Sequence, residues 1–387
     1  MSWWRHIIFE LRALIAHENT RMTVFIAAVG YAILYPLPYQ HQLPTDIPMA
    51  AVDLDQSVAS RRLLRMIDAT PQVAVDRTVS SELVAQDLVA AQAVRGYLII
   101  PKDFNRTLLR RSSSTLAMGG DGAYYLLYAT QAEGVMGAVG ALNNEISELI
   151  QLRGSPSVVN NTSAPFELAL VNAFNPQLGY RNYVIPAVFL LILHQLALMG
   201  MATMTWVQRQ RGVARDRYQQ SWWRESSARL TAFLSVFLLL SLLYFYVLLP
   251  LYHVPISPFR IGVVAFLGVF FVATLLLGQL LGRLIPHPQI VVVVVIMSSL
   301  PLVFSAGFIW PVESIPDWWH LLMSAVPATT GIQYFLQIHL YNAPLLSVSS
   351  ELIILSMIAV VTALVDYWLA ARQRTSMPRT GMATEDL

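Results

Sequence analysis

The 387-residue sequence contains no cysteine, which excludes disulfides, thiol nucleophiles and cysteine-ligated metals. Lys102 is its single lysine, and charged residues make up only 12% of the chain. Soluble domains carry about 25%, so a chain of this size and charge cannot cover its own surface in water. The scarcity of charge also argues against nucleic acid as a partner: the formal net charge is +2, and no basic stripe is interleaved with aromatics. No Gly-Lys-Ser or Gly-Lys-Thr segment closes a phosphate loop, and no pair of histidines has zinc-ligand spacing. No catalytic, cofactor-binding or metal site is therefore expected in this chain.

What is present is apolar. Hydrophobic residues reach 56%, with a mean hydropathy of +0.53. Charges recur at ordinary intervals from Asp46 to Arg181 and nearly vanish from Asn182 onward, leaving one water-facing and one lipid-facing part. Crossing a bilayer takes roughly 20 mostly apolar residues. Six stretches qualify: 22–37, 183–207, 230–249, 261–281, 289–308 and 352–370. Asp366, near the end of the sixth, is expected close to the membrane interface, followed by Arg372 and Arg374. The stretch from Leu321 to Ser350 has no acidic or basic residue, but Pro327, Gly331, Gln333, Gln337, Asn342 and Pro344 interrupt it. It reads as an interfacial or re-entrant element rather than a seventh span.

Arginine placement sets the orientation. Arg5, Arg12 and Arg21 precede the first span. Arg209, Arg211, Arg215, Arg217, Arg224 and Arg229 lie between the second and third, Arg283 follows the fourth, and Arg372, Arg374 and Arg379 follow the sixth. The opposite short connections hold only Arg260, against Glu313, Asp317 and Glu351. Both termini are expected in the cytoplasm, and the long region between spans one and two outside it. The apolar N-terminal segment lacks an Ala-x-Ala cleavage site and is expected to stay as an anchor. Ahead of it, Trp3, Trp4, Ile7, Ile8, Leu11, Leu14 and Ile15 recur at helical spacing, as in a helix lying along the membrane face.

The water-facing part alternates strand and helix signals. Strands are expected at 47–54, 73–75, 96–100 and 115–118, and helices at 57–69, 81–93 and 124–152, a small α/β domain. Gly119, Gly120, Asp121 and Gly122 read as a turn. Asp53 and Asp55 would share one face of a strand and could suit a divalent ion, but a strand-end turn into the Ser57 helix explains them more simply. The fold class is thus an α-helical integral membrane protein with six transmembrane helices and an inserted α/β extracytoplasmic domain.

Several segments together resemble the ABC-2 type permease family, in particular permeases with a large extracytoplasmic domain after the first span. MAAVDLDQSVASRRLLRMI, VRGYLIIPKDF (94–104) and MGGDGAYYL (from Met118) resemble blocks of that domain. NAFNPQLGYRNYVIP, from Asn172 to Pro186, is the strongest match; Asn175, Pro176, Tyr180, Arg181, Asn182 and Tyr183 form its junction with span two. SAGFIWPVESIPDWWHLLMSAVPATTGIQYF, from Ser305 to Phe335, resembles the family's exit from the fifth span and its return toward the sixth. The loop VQRQRGVARDRYQQSWWRES departs from the usual acidic and Gly-Thr pattern of the family.

The resemblance implies an interfacial helix at 1–21, a first span at 22–40, an extracytoplasmic domain at 41–180, and five spans within 181–370. It also implies a coupling loop at 208–229, an outer re-entry at 309–345 and a cytoplasmic tail at 371–387. The expected protein is the permease subunit of an ATP-driven exporter in the cell inner membrane, moving a hydrophobic or amphipathic cargo. ATP and Mg2+ would sit on a separate cytoplasmic ABC ATPase. The other partners implied are a second identical or paralogous permease, membrane lipid and a periplasmic adaptor. Arg215, Arg217, Trp222, Trp223 and Arg224 are the candidates for contact with the ATPase, because arginine engages carboxylates with two donors. Glu313, Trp318 and Trp319 are the candidates for an outer gate. The alternative is a membrane scaffold or signalling subunit that binds a partner through the external domain.

Overall fold

A computed structural model describes residues 3–39, 44–110, 114–120, 125–152, 180–210, 222–255, 261–340, 344 and 349–375. The chain divides into two compact units, residues 1–40 with 172–387, and residues 41–171.

Six helices of the first unit are long and apolar enough to cross a membrane: Glu18–Tyr39, Tyr180–Gln210, Trp222–Leu251, Ile261–Leu284, Pro288–Ser305 and Ser349–Gln373. They are called spans 1 to 6. A lipid core offers no partner for backbone amides, so each such segment satisfies its own by helix formation. Span 2 forms the centre. Of its most apolar window 89% is buried, against 22% in spans 1, 5 and 6. Span 4 packs on it closely because Gly278 and Gly282 present no side chain. A Cβ on Gly278 would stand 2.9 Å from the Leu198 carbonyl oxygen, and one on Gly282 would run into the Ala202 backbone. Small residues four apart allow this backbone approach where hydrophobic driving force between helices is absent.

Spans 1 and 3 each contain a π-helical stretch, Met22–Ile26 and Leu243–Leu248. The Tyr244 hydroxyl donates to the Ala28 carbonyl, and the Tyr252 hydroxyl donates to that of Ala32 at 2.9 Å. The leading helix, Trp3–Ala16, lays Ile7 against Ala228 and Ala232 of span 3. After span 5 come two helices, Asp317–Ser324 and Pro327–Leu340. The second, labelled the re-entry helix for its place between spans 5 and 6, packs in the membrane unit's core, with Ala328, Ile332, Phe335 and Ile338 buried. Its interrupting Pro327 and Gly331 mark its start and a close contact, respectively, rather than a break.

The second unit holds a four-stranded sheet in the order β2-β1-β3-β4. β1 is Ile47–Asp53, β2 Val73–Val79, β3 Gly96–Ile100 and β4 Ala117–Gly120. β1 pairs in parallel with β2 and β3, and β4 runs antiparallel to β3. Because successive side chains of a strand face opposite ways, Met49 joins Leu63, Ile67, Val73 and Leu98 on one face, while Ala50 and Val52 join Ala85 and Val94 on the other. Ser57 and Ser81 cap the helices Val58–Asp68 and Glu82–Ala90. The long helix Tyr125–Leu152 is fixed by Gln131, whose amide donates to the carbonyls of Ile47 and Pro48 at 3.3 and 3.1 Å.

Two local expectations change. Gly119 and Gly120 belong to β4 rather than to a turn, because the rings of Tyr97 and Tyr128 occupy the space their Cβ atoms would need. Phe104–Leu109 is a short helix that the pattern did not suggest.

Candidate functional site

The helix ends that meet beside the leading helix carry most of the membrane unit's buried charge. Span 3 begins at Trp222 and span 2 continues to Gln210, so Trp222, Trp223 and Arg224 stand on the first turn of a span and not on the expected 208–229 loop. Hydropathy places the start later because Trp222, Ser226 and Arg229 are polar in part, yet all three are buried.

Arg229 is 3% exposed. Its guanidinium donates to Gln208 of span 2, to Glu225 one turn back at 2.8 Å and to the Thr205 hydroxyl at 3.3 Å. Its Nε lies 3.6 Å from Glu10 Oε2 of the leading helix. Glu10, 2% exposed, also accepts from the Gln208 amide at 2.7 Å. The leading helix is therefore hydrogen-bonded to span 2 and ion-paired to span 3, and not only laid against span 3 by its apolar face.

The second cluster centres on Asp366 of span 6. Arg283 Nε of span 4 donates to Asp366 Oδ1 at 2.5 Å and its Nη2 to Oδ2 at 3.2 Å. Oδ2 also accepts from Gln279 at 2.6 Å and from the Trp222 indole N–H at 2.9 Å. Gln279 in turn bonds Ser226 of span 3 at 2.9 Å. Asp366 is wholly buried, and a carboxylate with four donors needs no water. Bidentate pairing with arginine is the strongest arrangement available to it. Span 3 carries residues of both clusters one turn apart, Ser226 and Arg229, so it links the leading helix to spans 4 and 6.

The remaining candidates fall in different places. Trp223 is exposed and stacks on Tyr367 at 6.1 Å. Arg224 is exposed. Arg215, Arg217, Asn175 and Pro176 lie outside the described residues. Tyr180 and Tyr183 pack ring to ring at 5.5 Å, Asn182 is buried, and Arg181 donates to the His253 carbonyl at 3.3 Å. Glu313 is exposed on a single turn, Val312–Ser314. Trp318 is exposed, whereas the Trp319 indole donates to Ser305 at the end of span 5 at 2.9 Å. Asp53 is occupied as a turn residue, accepting from the backbone of Asp55 and Gln56 and from the Ser60 hydroxyl at 3.1, 2.9 and 2.7 Å. Among the described residues no group of acidic or histidine side chains is arranged to hold a metal.

Sequence reasoning missed Glu10, Gln208, Gln279 and the pairing of Arg283 with Asp366. The available signal was the cost of an ionisable group inside a span, which makes a partner within the bundle the default expectation. Outside the six spans, His339 on the re-entry helix stacks on Phe335 at 5.3 Å, and burial pulls its imidazole down to about 4.

No curated protein matches the sequence. Residues 20–367 match the family described as ABC-2 family transporter protein. That match takes in spans 2 to 5, most of spans 1 and 6 and the inserted sheet, so the chain belongs to the ABC-2 family of transporter proteins.

Proposed function

We propose that this membrane permease of an ABC transporter is one half of an ATP-driven exporter, moving a hydrophobic or amphipathic substrate out of the cytoplasm or the inner membrane. The observation that carries this reading is the pair of buried ionic clusters joining the leading helix to four spans. An ABC ATPase is the partner that the family implies. ATP with Mg2+ is hydrolysed on that subunit, while this chain supplies the path.

The arginine-rich helix ends face the cytoplasm in this reading, together with both termini, and the inserted α/β unit is periplasmic. Closure of the ATPase pushes on the leading helix and on the 211–221 connection with its Arg215 and Arg217. Because Glu10 is bound to Arg229 and Gln208, the push reaches spans 2 and 3 directly. Ser226, Gln279 and Asp366 carry it to spans 4 and 6. A connected set of buried hydrogen bonds suits this task because such networks have discrete arrangements and do not deform gradually. A second identical or paralogous permease completes the path, and a periplasmic adaptor is the natural partner of the inserted unit.

The test is ATP hydrolysis by the permease co-purified with its ATPase in lipid vesicles, with and without amphipathic compounds. A stable complex whose hydrolysis rises with particular compounds supports the exporter. Absence of any complex or response, with both proteins folded, overturns it in favour of a membrane scaffold.

A further inference from the structure

His194 lies near the midpoint of span 2. It is 2% exposed, and neither Nδ1 nor Nε2 has a hydrogen-bond partner among the described residues. An imidazole can give one N–H and accept at one lone pair, and buried polar atoms are almost always paired. Its neighbour in sequence shows the ordinary outcome: Gln195 donates to Ser299 of span 5 at 2.8 Å. An aliphatic or phenyl side chain would fill the position of His194 without leaving two polar atoms unmet.

The ring faces Phe270 of span 4, with centroids 5.9 Å apart. Phe270 continues into an aromatic group with Phe266 and Phe271, and Phe237 of span 3 packs on Phe271 at 5.6 Å. On the re-entry helix, Gly331 leaves no room between its backbone and the Phe270 ring; any Cβ there would collide with it. Two residues earlier, the Thr329 hydroxyl is a second buried polar group without a partner among the described residues. Phe270 is thus held in place by a glycine on a helix that does not cross the membrane, and it covers an imidazole whose bonding capacity is unused.

We infer that His194 is a hydrogen-bonding post for the transported molecule, closed in this conformation by Phe270 and opened when the re-entry helix withdraws Gly331. The chemistry selects the ligand class. The aromatic wall suits an apolar body, and a group that both donates and accepts satisfies the imidazole. A hydroxyl within the apolar part of an amphiphile meets both conditions at far lower desolvation cost than a charge at this depth. The inference rests on the exporter reading and names its substrate class.

The experiment uses the permease–ATPase complex in lipid vesicles with two matched probes, 12-hydroxystearate and stearate. Wild type should respond to the hydroxylated probe at about threefold to tenfold lower concentration, the value of one hydrogen bond. His194→Phe should abolish that preference while thermal stability persists or rises. His194→Gln, which keeps a donor and an acceptor, should restore it. Diethyl pyrocarbonate followed by peptide mass spectrometry should label His194 during ATP turnover and spare it at rest. A wild-type complex that hydrolyses ATP and responds to both probes equally, or a His194→Phe complex with an unchanged preference, overturns the inference and leaves the exporter standing. A wild type with no ATPase complex overturns both.

Discussion

Replacing Asp366 by Ala tests whether the ionic clusters hold the bundle together. Asp366 is fully enclosed and its partner Arg283 is only 8% exposed, so no water replaces the lost carboxylate. The substitution removes the carboxylate to which Arg283, Gln279 and the Trp222 indole all donate. Breaking a buried pair from one side costs about 3–5 kcal/mol, and the exposure of the pair calls for no screening discount. Asp366→Asn should cost less, because it keeps the shape and one acceptor while losing the charge. Removing both partners, as Asp366→Leu with Arg283→Met, should recover most of the loss, since an apolar pair of similar volume satisfies the same space. The assay is denaturation of the purified permease in mixed micelles by graded SDS, followed by tryptophan fluorescence, with the double-mutant cycle isolating the pair. If Asp366→Ala lies within about 1 kcal/mol of wild type, the pair is solvated in the membrane and the reasoning fails. If the double variant is as unstable as the single one, the cost lies in packing and not in the lost carboxylate.

Three other outcomes follow from the same geometry. Gly282→Leu should separate spans 2 and 4 at the Ala202 backbone and abolish assembly, whereas Gly268→Ala, where a Cβ meets nothing within 4 Å, should assemble normally; size-exclusion chromatography distinguishes them. Asp53→Ala in the inserted unit removes the acceptor of three hydrogen bonds and should destabilise it by about 2–3 kcal/mol, measured by the urea midpoint. His339 is depressed in the fold to about 4, below its unfolded value of about 6.5. Its contribution is therefore complete above about pH 6.5 and falls as the pH drops toward 4, by up to ~3 kcal/mol. His339→Phe, which keeps the stack on Phe335, should remove one proton's worth of that acid sensitivity; an unchanged pH profile refutes the assignment.

The architecture was largely legible from composition. Runs such as the one from Ile261 to Leu281 contain no charge, and lipid-facing helices have few alternatives. Near-continuous apolar runs marked β1 and β3 for the same kind of reason: a strand buried on both faces reads as such a run. The clusters were less legible. Arg283 follows an apolar stretch, and orientation by positive charge explains it fully, so nothing local points to Asp366, 83 residues on. Glu10 sits among residues of a helix whose outer face is also charged. The start of span 3 was misplaced because Trp222 and Arg229 look like loop residues until their partners on other helices are known. Long-range pairing decides such positions, and a single sequence carries no record of it.

The Arg283–Asp366 pair has a consequence for how the protein is made. Span 4 leaves the ribosome well before span 6, so Arg283 enters the membrane without its counter-charge. Arg229 has no such wait, because Glu10 precedes it in the chain. A nascent permease is therefore incomplete in a chemically specific way until its last helix arrives, and a chain truncated before Asp366 leaves Arg283 without this carboxylate.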